Sequence, residues 1–187
     1  MLYIYKYIMV ICNSFPKSYT EVPVTCSICL LLVIVFLVYA LEPLNKPCGD
    51  DVRSIFMSNF VTVDIGQLII NLYSLFSLSG LEVQMGSAKY LSIIITSLGM
   101  NTVLEWGIHK KYTHLPCSLG FSGVVLSLIV ISLVLGKRID VKVMTVLVIF
   151  GLYLTLNDNG SNKYIGHIIG ALTGLIIAVV IKTKTKY

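Results

Sequence analysis

Long runs of apolar residues constrain this chain more than any other feature of its sequence. About 20 such residues span the hydrocarbon core of a bilayer, and somewhat fewer suffice for a helix that its neighbours shield. Six runs come close to that length: Val24–Leu41, Gly66–Leu81, Tyr90–Trp106, Gly120–Leu135, Val141–Leu156 and Tyr164–Ile181. The sequence therefore predicts an all-α, polytopic membrane protein with a bundle of six transmembrane helices.

The composition supports this class. Of the 187 residues, 56% are hydrophobic and only 12% are charged, which is far from the balance of a soluble domain. A net charge of +5 would suggest a nucleic-acid partner in a soluble protein. Here the basic residues lie between the apolar runs and at the C-terminal tail, where they act as topology signals. We therefore expect the lipid bilayer, and no nucleic acid, as the surroundings of the chain.

The distribution of basic residues predicts the orientation. If the N-terminus is cytoplasmic, nine Lys and Arg residues fall on the inner side and five on the outer side. The cytoplasmic side is normally the richer one, so both termini are expected to be cytoplasmic, with an inverted protein as the alternative. The chain then divides into an N-terminal cytoplasmic or interfacial arm (1–23), a membrane domain (24–181) and a basic cytoplasmic tail (182–187).

Polar side chains within the runs are the main functional signal, because such groups are costly in a bilayer and usually serve a function. The second run contains Gln67 and Asn71, the fourth contains Ser122, and the sixth contains His167. These even-numbered helices all enter from the outer side. Each polar residue lies within about five residues of its helix start, which places them within roughly 8 Å of the same depth. The sequence thus predicts one polar site below the outer surface.

These residue types indicate nucleophilic catalysis. A serine hydroxyl becomes a good nucleophile when an adjacent base removes its proton, and histidine is the usual base near neutral pH. We predict Ser122 as the nucleophile and His167 as the base, in a dyad, because no acidic residue lies near His167 in its helix. The backbone N–H groups at the start of the fourth helix, and the side-chain amides of Asn71 and Gln67, would stabilise an oxyanion.

Small residues favour close contact between the fourth and sixth helices. The sixth run contains Gly166, Gly170 and Gly174 at a spacing that lets another backbone approach closely. The fourth run offers Gly123 and Ser127 at the matching spacing. Such contact would bring the imidazole to the hydroxyl.

The cysteines leave two questions open. The five cysteines show no metal-ligand spacing, so neither a metal nor a cofactor is expected. Cys48 and Cys117 both lie outside on the predicted topology and would pair only in an oxidising compartment. A Cys117 thiol is the alternative nucleophile near Ser122, although its place in a loop beside Pro116 favours the serine.

These motifs together resemble the rhomboid family of intramembrane serine proteases. The likeness extends from about Val24 to Ile181 and rests on "GFSG" (120–123), "HIIGALTG" (167–174) and "QLIINLYSLFSLSGLE" (67–82). Leu81-Glu82, Gly86-Ser87 and Arg53 also match the family's pattern. The resemblance implies a serine endopeptidase that cuts single-pass membrane proteins in or near their spanning helices. It implies Ser122 as nucleophile, His167 as general base, and Gly120 and Asn71 at the oxyanion.

Three positions depart from the family's pattern. Gln67 stands where a histidine is common, Val52 replaces the tryptophan of a Trp-Arg pair, and Leu126 replaces an aromatic that often stacks on the histidine. The dyad is retained, which favours an active enzyme that is slow or selective. The alternatives are an inactive rhomboid-like protein that binds membrane helices and, less favoured, a small transporter, for which intramembrane polar groups are equally natural.

Overall fold

The computed structural model describes residues 20–41, 49, 51–112, 118–136 and 164–184. In chain order, its helices are α1 (Pro23–Leu41), α2 (Val52–Ser58), α3 (Ile65–Leu78), α4 (Gly80–Met85), α5 (Ser87–Lys111), α6 (Ser122–Val134) and α7 (Tyr164–Lys184). Those ranges contain helices and no strand. The predicted run Val141–Leu156, Cys48 and Cys117 lie outside the described residues.

Among the described residues, four helical segments are long and apolar enough to cross a membrane: Pro23–Leu41, Ile65–Met85, Ser87–Lys111 and Ile165–Lys184. The second of these consists of α3 and α4, which Ser79 separates. The four segments coincide with the first, second, third and sixth predicted runs, and α6 coincides with the fourth. The prediction of an all-α, polytopic membrane protein is confirmed.

Helix α6, which is apolar but shorter than those four segments, lies inside the bundle. Its 13 residues rise about 20 Å, whereas the hydrocarbon core is about 30 Å thick. Most of its side chains are buried, and it packs against α3, α5 and α7. Backbone without regular structure is tolerated at membrane depth only where protein or a water-filled cavity surrounds it. The other helices thus shield α6, which is too short to span the hydrocarbon core by itself.

Helices α6 and α7 approach each other backbone to backbone. A Cβ atom on Gly174 would lie 2.5 Å from the carbonyl oxygen of Ser127, and one on Gly170 would overlap the backbone of Gly123. The Ser127 hydroxyl donates to the carbonyl of Gly170 at 2.8 Å. The interface therefore has room for no side chain at Gly170 or Gly174.

The helices define two ends of the bundle, which we call upper and lower. The upper end is where α6 and α7 begin, and the lower end is where α1 and α5 begin. At the lower end Glu82, only 1% exposed, accepts from the backbone N–H groups of Val24 and Thr25 at 2.8 and 2.9 Å. It also accepts from the hydroxyls of Thr25 and Ser87 at 2.7 and 2.8 Å. Glu82 thus joins the starts of α1 and α5.

The short helix α2 belongs to the upper end and was not predicted, because no long apolar run marks it. Asp51 precedes α2 and accepts from the backbone N–H and the hydroxyl of Ser54. The hydrogen bond from the hydroxyl lowers the pKa of the Asp51 carboxyl below its ordinary value. Helix α2 packs against α5. This packing holds the C-terminal carbonyl groups of α2 near the start of α6.

Candidate active site

Ser122 and His167 form a hydrogen-bonded pair at the upper end. The Ser122 Oγ lies 3.1 Å from the His167 Nε2. Ser122 is the first residue of α6, and His167 lies in the first turn of α7. Both residues are half-buried, so the pair is enclosed by the bundle without being sealed from its surroundings. This distance allows a proton to pass directly between hydroxyl and imidazole.

The glycines of α6 and α7 make this distance possible. The Cβ position of Gly123, the residue after Ser122, lies 3.2 Å from the carbonyl oxygen of Gly166, the residue before His167. One turn further along α7, a Cβ on Gly170 would overlap the backbone of Gly123. A larger side chain at these positions would push the two helices apart and separate the hydroxyl from the imidazole.

The start of α6 supplies backbone donors beside the hydroxyl. The first N–H groups of a helix have no acceptor within it, and the helix dipole places positive charge at this end. Ser122 and Gly123 occupy these positions. Gly120 precedes them with φ of +102°, a conformation that L side chains rarely adopt. The turn that aims these N–H groups therefore depends on glycine at position 120.

The segment Ser118–Phe121, which we call the nucleophile loop, is held by a different element at each of three consecutive residues. The Ser118 N–H donates to the Glu105 carboxylate of α5. The Leu119 carbonyl accepts from the Gln67 Nε2 of α3 at 3.0 Å. The Gly120 N–H donates to the carbonyl of Ser58, the last residue of α2, at 3.0 Å. This bonding fixes the backbone that leads into Ser122.

Aromatic packing anchors the last residue of the loop. Phe121 is fully buried, and its ring centroid lies 5.8 Å from that of Phe60. Phe60 in turn contacts the ring of Phe56 at 5.6 Å between centroids. The position of Ser122 is thus defined on its N-terminal side by packing as well as by hydrogen bonds.

The two amides predicted for the oxyanion differ in their bonding. Gln67 uses its Nε2 to hold Leu119, so in this structure it supports the nucleophile loop. Asn71 lies one turn further along α3 and is 2% exposed. Its Nδ2 has no hydrogen-bond partner among the described residues. An amide buried in this way has an unused donor for a bound group.

A further polar residue beside the site, Asn101 of α5, was not predicted. Asn101 is 3% exposed, and neither polar atom of its amide has a partner within the described part of the chain. The Cβ position of Gly123 lies 3.2 Å from the Asn101 Nδ2. The sequence signal for Asn101 is its place as a polar residue within the third apolar run, which enters the membrane from the opposite side on the predicted topology.

Leu126 and the Lys110–Trp106 contact are not part of the hydrogen-bonded pair. Leu126, one turn after Ser122, is partly buried against the main hydrophobic core. Near the end of α5, the Lys110 Nζ lies 4.5 Å from the ring centroid of Trp106. Within the described ranges, no three His, Cys, Asp or Glu side chains come together as a metal site would require.

Comparison with known proteins agrees with this picture of the fold. A family model described as the Rhomboid domain matches residues 49–184, well over half of the chain. The chain is also 30% identical over 162 residues to a protein of Acanthamoeba polyphaga mimivirus whose name assigns it to the rhomboid proteins. That alignment covers 83% of this chain and 89% of the viral protein.

Proposed function

The chain belongs to the rhomboid family, and from this premise we propose that it is an intramembrane serine endopeptidase that uses a Ser122–His167 dyad. The family points to an intramembrane protease or a related rhomboid-like function in an integral membrane protein. The observation that carries the finer proposal is the distance of 3.1 Å between the Ser122 Oγ and the His167 Nε2.

In the proposed reaction, His167 acts first as a base and then as an acid. Its Nε2 accepts the hydroxyl proton while the Ser122 Oγ attacks the carbonyl carbon of the scissile peptide bond. The His167 imidazolium then donates this proton to the leaving amine, and an acyl group remains on Ser122. A water molecule, deprotonated in turn by His167, attacks the ester carbon. The bond from this carbon to the Ser122 Oγ breaks, the His167 imidazolium returns the proton to the Oγ, and the carboxyl product is released. This order of steps requires that His167 carry its proton on Nδ1 before each attack, so that Nε2 is free to accept a proton.

The oxyanion of each tetrahedral intermediate needs donors that are already in place. We assign this role to the backbone N–H of Ser122 and to the side-chain amide of Asn71. The conformation of Gly120 orients the first donor, and the unused Nδ2 of Asn71 supplies the second. Gln67 contributes indirectly, since its hydrogen bond to Leu119 supports the loop.

We propose transmembrane segments of single-pass membrane proteins as the substrates. Ser122 lies in a bundle whose long apolar helices are able to cross a membrane, so we expect it to meet peptide bonds within or near a bilayer. A peptide bond in a helix has its carbonyl hydrogen-bonded, and the helix must unwind before the serine attacks. Substrates with small residues and a locally unstable helix at the cut are therefore expected to react fastest.

The charge bias supports an orientation in which both termini are cytoplasmic and the upper end faces outward. Of 14 Lys and Arg residues, this arrangement places nine inside. Cysteine labelling with a membrane-impermeant reagent tests it, using single cysteines introduced at Lys89 and at Lys110 in a cysteine-free variant. We expect labelling from outside only at position 110.

The direct test is cleavage of a model single-pass substrate in liposomes by the wild type, Ser122→Ala and His167→Ala. We expect the wild type to cut the substrate, and each variant to lose at least about 10³-fold in rate while it stays folded. Cleavage that survives both substitutions would refute the dyad.

A rhomboid-like protein that binds membrane helices without cutting them is the second candidate. The observation in its favour is Gln67, whose amide is engaged with the nucleophile loop at a position where the family commonly has histidine. In that case the wild type would cut none of a broad panel of substrates, yet it would co-purify with their transmembrane helices.

A further inference from the structure

We propose that Glu105 is a positioning residue of this site, whose carboxylate fixes the nucleophile loop by accepting the backbone N–H of Ser118. The inference rests on the proposed function, because it assigns Glu105 a role in aligning Ser122 for attack. Glu105 does not touch the hydroxyl or the imidazole in this account. It acts through the loop.

The surroundings of Glu105 make it unlike an ordinary surface carboxylate. It lies near the end of α5, where it is 5% exposed. A carboxylate removed from water is costly unless donors satisfy it. The donor here is the backbone N–H of Ser118, which is 13 residues away in the chain and belongs to no helix. The bond therefore ties an irregular segment to a rigid one.

Ser118 transmits this restraint to both halves of the dyad. Along the chain, it begins the nucleophile loop, which leads into Ser122. Through space, it packs against the start of α7, since a Cβ on Gly166 would lie 2.6 Å from the Ser118 Cβ. Gly166 directly precedes His167. A displacement of Ser118 would therefore disturb the serine through the loop and the histidine through α7.

Three hydrogen bonds to the loop were described above, and among them the bond to Glu105 has a carboxylate as its acceptor. The acceptor for Gly120 is the neutral carbonyl of Ser58, and the donor to Leu119 is the neutral amide of Gln67. Hydrogen bonds to ionised groups are about twice as strong as those between neutral groups. We therefore expect the loss of Glu105 to loosen the loop more than the loss of the Gln67 amide.

The chain offers a matched control in Glu82. Glu82 is also a buried carboxylate that accepts backbone N–H groups, but its partners lie at the starts of α1 and α5. These partners belong to the lower end, whereas the nucleophile loop lies at the upper end. A substitution at Glu82 perturbs the fold without acting on the nucleophile loop, so it separates positioning from general stability.

The test compares wild type, Glu105→Gln, Glu105→Ala and Glu82→Gln in liposomes. Kinetic measurements give kcat and KM for one model substrate, well below the unfolding temperature of every variant. Hydrogen–deuterium exchange, followed in peptides that cover the nucleophile loop, gives a readout that needs no catalysis. Glutamine retains an amide oxygen that accepts the Ser118 N–H, whereas alanine does not.

We expect Glu105→Ala to lower kcat between about 10- and 100-fold, with KM within about twofold, because a small misplacement of reacting groups has effects of this size. Loop exchange should rise at least about tenfold. Glu105→Gln should retain kcat within about fivefold, and Glu82→Gln should leave loop exchange at the wild-type rate.

Unchanged kcat and exchange in Glu105→Ala would overturn the inference. So would a Glu105→Gln variant as slow as Glu105→Ala, since the acceptor would then not be what matters. If the wild type cuts no substrate, the proposed function fails, but the exchange rates still decide whether Glu105 holds the loop.

Discussion

One buried carboxylate at the lower end of the bundle and two buried amides at the upper end differ in how far their polar atoms are paired. At the lower end, both oxygens of Glu82 are used: one accepts from Val24 and Ser87, and the other accepts twice from Thr25. At the upper end, the amides of Asn71 and Asn101 are just as deeply buried, yet they have unpaired polar atoms within the described part of the chain.

This difference separates polar groups that stabilise the fold from those available for chemistry. A buried polar atom without a partner lowers stability, so it persists where it serves another purpose. A substitution at Glu82 should therefore change stability, and one at Asn71 should change activity.

The largest effect is expected from Glu82→Ala at the lower end. It leaves the N–H groups of Val24 and Thr25 and the hydroxyl of Ser87 without their acceptor, and hydrogen bonds to charged groups are individually strong. We expect the free energy of unfolding to fall by about 4 kcal/mol. Reversible unfolding in mixed micelles measures it. A loss below about 1 kcal/mol would show that Glu82 is not the structural centre of the lower end.

At the upper end, Asn71→Ala is expected to lower activity without lowering stability. Removal of one oxyanion donor typically slows an enzyme by about 10²-fold, or about 3 kcal/mol in the barrier. Stability should stay the same or rise slightly, because an unpartnered amide is removed from the interior. Substrate cleavage and unfolding, measured on the same preparation, check both expectations. An unchanged rate would exclude Asn71 from the site.

Gly174→Ala tests the interface that connects the two ends. The added Cβ would lie 2.5 Å from the carbonyl oxygen of Ser127, so α6 and α7 must separate. We expect a loss of about 1–3 kcal/mol in the free energy of unfolding. Gly99→Ala in α5 is the control, since nothing lies within 4 Å of its added Cβ. Equal stability of the two variants would contradict close packing.

The smallest effect is expected from Gln67→Ala. It removes a neutral hydrogen bond to Leu119, which is worth about 1 kcal/mol, or about fivefold in kcat. Steady-state kinetics at saturating substrate measures it. A loss as large as that of Asn71→Ala would mean that Gln67 contacts the oxyanion directly.

Within the described residues, the sequence predicted the membrane helices well, because their apolar length is a property of single segments. The run Tyr90–Trp106 became α5, although polar residues extend the helix to Ser87 and Lys111. Helix α2 was missed, since its seven residues carry no such run. The break at Ser79 also leaves no mark in the apolar content of the second run.

The site was predictable only in part. The even-numbered runs indicated that Ser122 and His167 share a depth, because alternate helices enter from the same side. The contacts of the nucleophile loop could not be anticipated, since an irregular backbone has no periodicity from which to assign partners. Glu105 and Ser58 hold that loop through its backbone N–H groups, and such bonds leave no trace in side-chain patterns.

The most direct test of the central claim is the site of covalent modification by a fluorophosphonate, which reacts with activated serines. Intact-protein and peptide mass spectrometry are applied to the wild type and to His167→Ala in liposomes. We predict one adduct in the wild type, on Ser122, and at least about a hundredfold slower modification in His167→Ala. Modification of another residue, or equal modification of Ser122 in both proteins, would contradict the account.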